Sequence, residues 1–234
     1  MRVLAVGAHP DDLEILCGGT LARYVRLGHD VVMCHATDGD MGSFVHSREE
    51  IVSIRLQEAT RAASLAGAEH ASLGLGDGEV NAADPTQKRL VVDLVRGARP
   101  DVVITHAPND YMGDHNEISK LVFECSFYAT FANLESSRPR HGRVTPIFYM
   151  DTIAGLGFVP TEYVDITDTM DTKVAMLEAH ETQLAWLRDH DNVDIVDEMR
   201  VAARCRGQQC GVRYAEGFRQ CLTWLRGTTS RLLP

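Results

Sequence analysis

An α/β fold, built on a mostly parallel sheet with helices on both faces, is what this sequence predicts, on two observations. Five short apolar runs are continuously hydrophobic instead of alternating, as strands covered on both faces should be. They are Val3–Gly7, Val31–Ala36, Ala71–Leu75, Val102–Thr105 and Ile147–Met150. Between them lie segments of helical length, near 17–27, 48–66, 86–98 and 116–131. Strand and helix thus alternate as in βαβ units, and a Rossmann-like arrangement is the economical solution.

The first strand ends in Ala8-His9-Pro10-Asp11-Asp12, with Glu14 two positions on, a turn carrying one imidazole and three carboxylates. The segment 48–66 carries Ile51, Ile54, Ala59, Ala62 and Ala63 among Arg55, Glu58 and Arg61, and Gly67 supplies its stop. The fourth strand leads into a second polar cluster, Asp110 through His115. The final third changes character: Thr169 to Leu187 reads as one long amphipathic helix and Tyr214 to Leu225 as a shorter one, with a polar stretch between. No repeat, linker or low-complexity segment interrupts the chain. It reads as one domain over 1–234, with additional C-terminal helices from about residue 168.

Composition narrows the function. With a net charge of −10 the chain lacks the basic stripe of a nucleic-acid surface, and Arg200, Arg204 and Arg206 read as a solvated helix face. Aromatic residues are too few for a single-strand stacking platform. No stretch approaches the roughly 20 apolar residues that span a bilayer, and the chain enters a strand without a charged n-region and apolar segment. These points predict a cytoplasmic protein with no membrane or nucleic-acid partner. The six cysteines show no paired-CxxC rhythm; Cys205 and Cys210 weakly suggest a soft metal site, but reduced, partly buried thiols are the plainer reading. Gly18-Gly19 and Gly39 to Gly42 do not make a dinucleotide site, because the first βα turn lacks G-x-G-x-x-G and its carboxylates would repel a pyrophosphate. The late amphipathic helices offer a face for a homo-oligomer.

The two polar clusters leave strand ends on the same edge of a parallel sheet, where such folds hold their ligands. Catalytic zinc takes three protein ligands from His and Asp or Glu and keeps a position open. His9 and Asp12, three residues apart on one turn, can converge on one ion, with His115 or His106 as third ligand. Asp11, beside them but pointing elsewhere, is placed to be a general base. Mixed imidazole and carboxylate ligands suit one Zn²⁺ per chain, with Fe²⁺ or Co²⁺ able to take the same site. Helix capping by Asp11 or Asp12 is the competing reading.

Ala8-His9-Pro10-Asp11-Asp12-Leu13-Glu14 closely resembles the AHPDDxE signature of the LmbE-like deacetylases, also called the PIG-L or GlcNAc deacetylase family. Weaker matches follow in order: Thr37-Asp38-Gly39, Arg55 and Glu58 before Leu65-Ala66-Gly67-Ala68, Leu75-Gly76-Asp77-Gly78-Glu79, Asn109-Asp110-Tyr111, Asp114-His115, and the closing block Gly211 to Phe218. The resemblance implies metal-dependent removal of an N-acetyl group from an N-acetylglucosamine-type conjugate, a small amino-sugar substrate. By position it implies His9, Asp12 and His115 as zinc ligands and Asp11 as general base. Arg55 would approach the acetyl or sugar end of the substrate, or else pair with Glu58. Asp114 would orient a histidine or bind substrate hydroxyls. Asp38 and Asp77, each followed by glycine, read as turn residues.

One departure stands out. The family commonly has His-x-x-His where this chain has Met112-x-x-His115, and methionine can neither donate a hydrogen bond nor carry a proton. His180, in His180-x-x-Gln183, is the substitute expected to share catalysis with Asp11. An amidase acting on a larger N-acyl or thiol conjugate is the alternative, its pocket depth lying in loops near 40–47 and 151–163; a non-catalytic zinc-binding relative is another.

Overall fold

The computed structural model describes residues 1–234. β1 (Arg2–Gly7) leads through α1 (Asp12–Arg26) to β2 (Asp30–Thr37), then through α2 (Arg48–Ala66) to β3 (Glu69–Leu75). The chain returns by α3 (Pro85–Ala98) to β4 (Val102–Thr105) and by α4 (Gly113–Tyr128) to β5 (Ile147–Met150). These five strands are parallel and lie in the order β3-β2-β1-β4-β5. The order reverses between β1 and β4, so the loops leaving their carboxyl ends diverge and open a crevice at the switch point. His9 to Asp12 follow β1 and His106 to His115 follow β4. Both predicted clusters therefore meet across that crevice.

Local sequence explains several boundaries. Ser47 and Glu50 form a reciprocal capping box at the start of α2, and Gly67 ends it with φ 76°. Asp84 accepts the amides of Thr86 and Gln87, and Pro85 opens α3. The sheet is covered on both faces as expected, except along the edge strand β3, where Ser72 and Gly74 alternate with Ala71, Leu73 and Leu75 and no residue is buried. Leu13 and Leu21 of α1 and Ala62 and Ala63 of α2 pack on one side, with Val91 and Val95 of α3 and Ile118 and Leu121 of α4 on the other.

The last third departs from expectation in three ways. After β6 (Glu162–Asp165), the predicted helix from Thr169 to Leu187 is two helices, α5 (Met170–Glu178) and α6 (Glu181–Asp191). The break is held from α2: Arg61 donates to the Ala179 carbonyl at 2.7 Å, and the Glu58 carboxylate accepts the Thr182 amide at 2.9 Å. Side chains of another helix thus satisfy both new ends, which local periodicity cannot reveal. The polar stretch contains α7 (Ile195–Cys210), capped by Asp194 and stopped by Gly211.

The predicted helix at Tyr214–Leu225 is instead β7 (Ala215–Gln220), which runs antiparallel to both β5 and β6 and sits between them. Ladder bonds on both sides override the helical pattern, and Gly217 within the segment already argued against a helix. Glu216 of β7 turns inward, where its carboxylate accepts the amides of Gly19 at 2.9 Å and Thr20 at 2.7 Å and pairs with Lys173. Lys173 also donates to the Ile15 carbonyl at 2.8 Å. An ion pair is thus inserted into the hydrogen bonding of α1 at the Gly18-Gly19 pair. A Cβ at Gly19 would stand 2.8 Å from Ile166, so the glycine is required by close packing. No helix is long and apolar enough to cross a membrane.

Candidate metal centre and active-site cavity

The turn after β1 closes on itself, because Asp12 Oδ2 accepts the His9 amide at 2.6 Å. Asp11, between them, adopts φ 138°, a region costly for a residue with a Cβ, of order 1–3 kcal/mol. The contortion frees its side chain from capping: Asp11 makes no cap hydrogen bond, and its carboxylate borders a cavity of about 690 Å³. His9, Asp12, Arg55, Met112, Gln183 and Trp186 are among the other residues that line it.

Asp12 is the hub of the centre. Its Oδ1 lies 3.2 Å from His115 Nε2, and its Oδ2 lies 3.4 Å from His9 Nδ1. One ligand atom each from His9, Asp12 and His115 falls within 4.8 Å of the others. The far nitrogen of each ring meets a carboxylate: Asp114 stands 3.1 Å from His9 Nε2, and Asp110 stands 3.1 Å from His115 Nδ1. Those carboxylates are anchored in turn, Asp114 by the Gly78 amide at 2.7 Å and Asp110 by the Met112 amide at 3.1 Å. Carboxylates behind histidines fix the ring orientation of metal ligands in this way.

The donor set fits a divalent cation. His115 is fully buried, and its Nε2 has no hydrogen-bond partner although it faces Asp12. A buried polar atom left so costs about 1–3 kcal/mol unless something satisfies it. Charge tells the same story. Burial pulls His9 down, but Asp114 and Asp12 hold it up at about 11. Burial likewise opposes His115, which Asp12 and Asp110 raise to about 9. Asp12 is buried too, yet the neighbouring His115 and His106 keep it well below the usual carboxylate range. The cluster is built to attract positive charge.

His106, the other candidate for third ligand, has a different task. Its Nε2 accepts the Ala8 amide at 2.9 Å, and its ring stacks on His115 with centroids 3.9 Å apart. With that lone pair engaged, His106 buttresses the turn and the ligand ring. A second grouping of His106, Asp110 and His115 lies behind the first, and of its members none borders the cavity.

Asp11 has the environment of a base working near neutrality. Burial and the charge of Asp12 push its carboxyl up to about 6, against the pull of Arg55, His180 and His9. Arg55 is almost wholly buried and donates to the Pro10 carbonyl at 2.6 Å and the Gly39 carbonyl at 3.1 Å. It is not paired with Glu58, which caps α6. The guanidinium borders the cavity with Nε unpartnered, so it can both shape the turn and meet a substrate. Asp114 is committed to His9 and Gly78, which leaves the orienting reading and weakens the hydroxyl-binding one.

His180 is not where an oxyanion donor must be. It is fully buried, does not border the cavity, and its Nε2 faces Glu14 Oε1 at 3.3 Å. Glu14 holds His35 from its other oxygen at 3.2 Å, and His35 continues to His70 at 3.3 Å. His180 therefore acts on Asp11 only through its charge. The member of His180-x-x-Gln183 that borders the cavity is Gln183, whose Oε1 is buried without a partner. Helical spacing could have separated the two, had the break at Ala179 been foreseen. Met112 lines the cavity beside the centre, as the departure from the family pattern implied.

Comparison with known proteins gives a consistent result. Residues 4–126 match the family model described as PIG-L: GlcNAc-PI de-N-acetylase. The diacetylchitobiose deacetylase of Thermococcus kodakarensis is 33% identical over 232 residues, covering 93% of this chain and 82% of that protein. The solved structure of N,N'-diacetylchitobiose deacetylase from Pyrococcus horikoshii matches with a TM-score of 0.81 at 26% identity, over 94% of this chain and 83% of that one. The 4-carboxy-2-hydroxymuconate hydratase of Pseudomonas putida matches with a TM-score of 0.83 over 99% of this chain and 100% of that one. At 21% identity that likeness is one of fold.

Proposed function

The chain belongs to the PIG-L family of de-N-acetylases, and on that premise we propose that it hydrolyses the N-acetyl group of a small N-acetylglucosamine conjugate. The observation that carries the reading is a base without a hydrogen-bond commitment, Asp11, which borders one cavity with His9 and Asp12 while the buried His115 Nε2, without a partner, faces Asp12 from behind them. Two imidazoles and a carboxylate are a donor set for zinc, with Fe²⁺ or Co²⁺ as substitutes. The ion held by His9, Asp12 and His115 would supply Lewis-acid polarisation of the scissile carbonyl.

The remaining chemistry belongs to the chain. Asp11 takes a proton from the attacking water as the oxygen bonds to the carbonyl carbon. With its carboxyl at about 6, where the pull of Arg55, His180 and His9 offsets part of the burial, Asp11 is ionised and able to accept at neutral pH. When the carbon–nitrogen bond breaks, the amine needs a proton, and Met112 has none to give. Asp11 therefore returns the proton it took, and acetate and free amine leave. Arg55 holds the Pro10 and Gly39 carbonyls and so keeps both walls of the cavity in register. Asp114 and Asp110 hold the ligand rings, and His180 steadies the charge of Asp11 from behind.

Free-amine release from a panel of N-acetylglucosaminides by the zinc-loaded protein, with His9→Ala as blank, tests this. Metal-dependent turnover is expected. Silence across the panel with metal bound would shift the reading to a larger amide or to a non-catalytic metal-binding role.

A further inference from the structure

A second chamber, of about 250 Å³, adjoins the catalytic cavity. Ile15, Ile153, Val193 and Ile195 line both, so the two meet across a wall of four β-branched apolar side chains. Ile15 stands one helical turn from Asp11 and Asp12, so this wall begins beside the reacting centre. Behind it the lining continues with Leu16, Met199, Ala202 and Ala203.

The chambers differ in what they leave unsatisfied. In the catalytic cavity Arg55 Nε, Asp77 Oδ1 and Gln183 Oε1 are buried without partners, as a site for a polyhydroxylated ring would have them. In the second chamber no buried side-chain polar atom lacks a partner. Lys173 and Glu216 are closed on each other and on α1, and Arg206 is closed on Asp151 at 2.6 Å. Glu198 is exposed at the rim. A sugar hydroxyl entering here would lose water and gain nothing, whereas hydrocarbon would lose nothing. A dry apolar cavity of about 150 Å³ already takes up benzene, so this one has room for a chain.

We propose that this chamber binds an unbranched alkyl chain carried by the substrate, so that the amino sugar cleaved next door belongs to an amphiphile. The tail is borne either on nitrogen, as a longer acyl group, or on the glycosidic oxygen. The proposal rests on the catalytic reading above for the identity of the head group, and on the chamber alone for the tail.

Calorimetric binding of hexyl and methyl 2-acetamido-2-deoxy-β-glucopyranoside to the zinc-loaded protein tests the oxygen-borne tail. N-hexanoyl and N-acetyl forms of methyl glucosaminide test the nitrogen-borne one. Each buried methylene tightens binding about fourfold, so either the hexyl glycoside, with five added methylenes, should bind on the order of 10³-fold tighter than its short counterpart, or the N-hexanoyl sugar, with four, on the order of 10²-fold tighter. Ala203→Phe fills the chamber and should remove that gain; the half-buried Ala202→Leu does so with less risk to folding. Turnover of methyl N-acetylglucosaminide should be the same in both variants as in the parent. Tails that give no gain, or a gain that survives both fillings, would overturn the proposal. Tail-dependent binding without turnover of any N-acetyl sugar would sustain the chamber and sink the deacetylase reading instead.

Discussion

The Asp110 carboxylate stands 3.1 Å from His115 Nδ1, across the ring from the Nε2 that faces Asp12. A neutral imidazole carries one proton, and Asp110 draws it to Nδ1, leaving the Nε2 lone pair turned to the centre. Asp110→Asn should therefore weaken metal binding about 10- to 100-fold while the fold survives. Competition with a chromophoric chelator measures this directly. Unchanged affinity would remove Asp110 from the centre.

Asp11→Asn keeps the shape of the turn and removes the base. The variant should bind metal as the parent does and lose turnover by on the order of 10²–10⁴-fold. Metal content and steady-state kcat on the same preparation separate the two. A variant that holds metal and turns over normally would clear Asp11 of any part in the proton transfer.

Met112→His restores a donor at the wall of the cavity. An oxyanion donor is worth about 10²–10³ in rate where it is well placed, so kcat should rise at least tenfold with little change in KM. If kcat does not move, residue 112 lies outside reach of the developing charge.

Stability should respond to acid through His70. Burial, then the nearby His35, holds this ring's pKa down at about 4, against 6.5 in the unfolded chain. The unfolded state therefore binds the proton first. Stability is whole above about pH 6.5 and is lost as pH falls towards 4. Thermal melts of the metal-free protein across that window should show a steeper acid loss in the parent than in His70→Gln. Parallel curves would mean that the His35–His70 contact does not persist in solution.

The parts of the fold that were legible are those with a local physical signature. β1, β2, β4 and β5 are continuous apolar runs, and α2 carries its own cap and glycine stop. The candidate donor cluster has a local signature as well, since His9 and Asp12 crowd one strand-ending turn. Elements whose ends are satisfied from elsewhere were not legible. The break before α6 depends on Arg61 and Glu58, more than a hundred residues away, and β7 depends on two partner strands. The same reasoning explains the site. His180 looked free because the Glu14 that engages it lies on α1. Arg55 looked ready to pair with Glu58, but each is committed to a backbone in another segment.

The bond from Glu216 to Gly19 and Thr20 also sets an order of events. During synthesis, at about 5–20 residues per second, the helix that presents Asp12 emerges roughly ten to forty seconds before β7 can reach it. Until then Lys173 and the amides of Gly19 and Thr20 lack their carboxylate, and the helix has a seam at its centre. The turn that carries His9 and Asp12 is thus backed by a helix whose centre is secured only once β7 has been made.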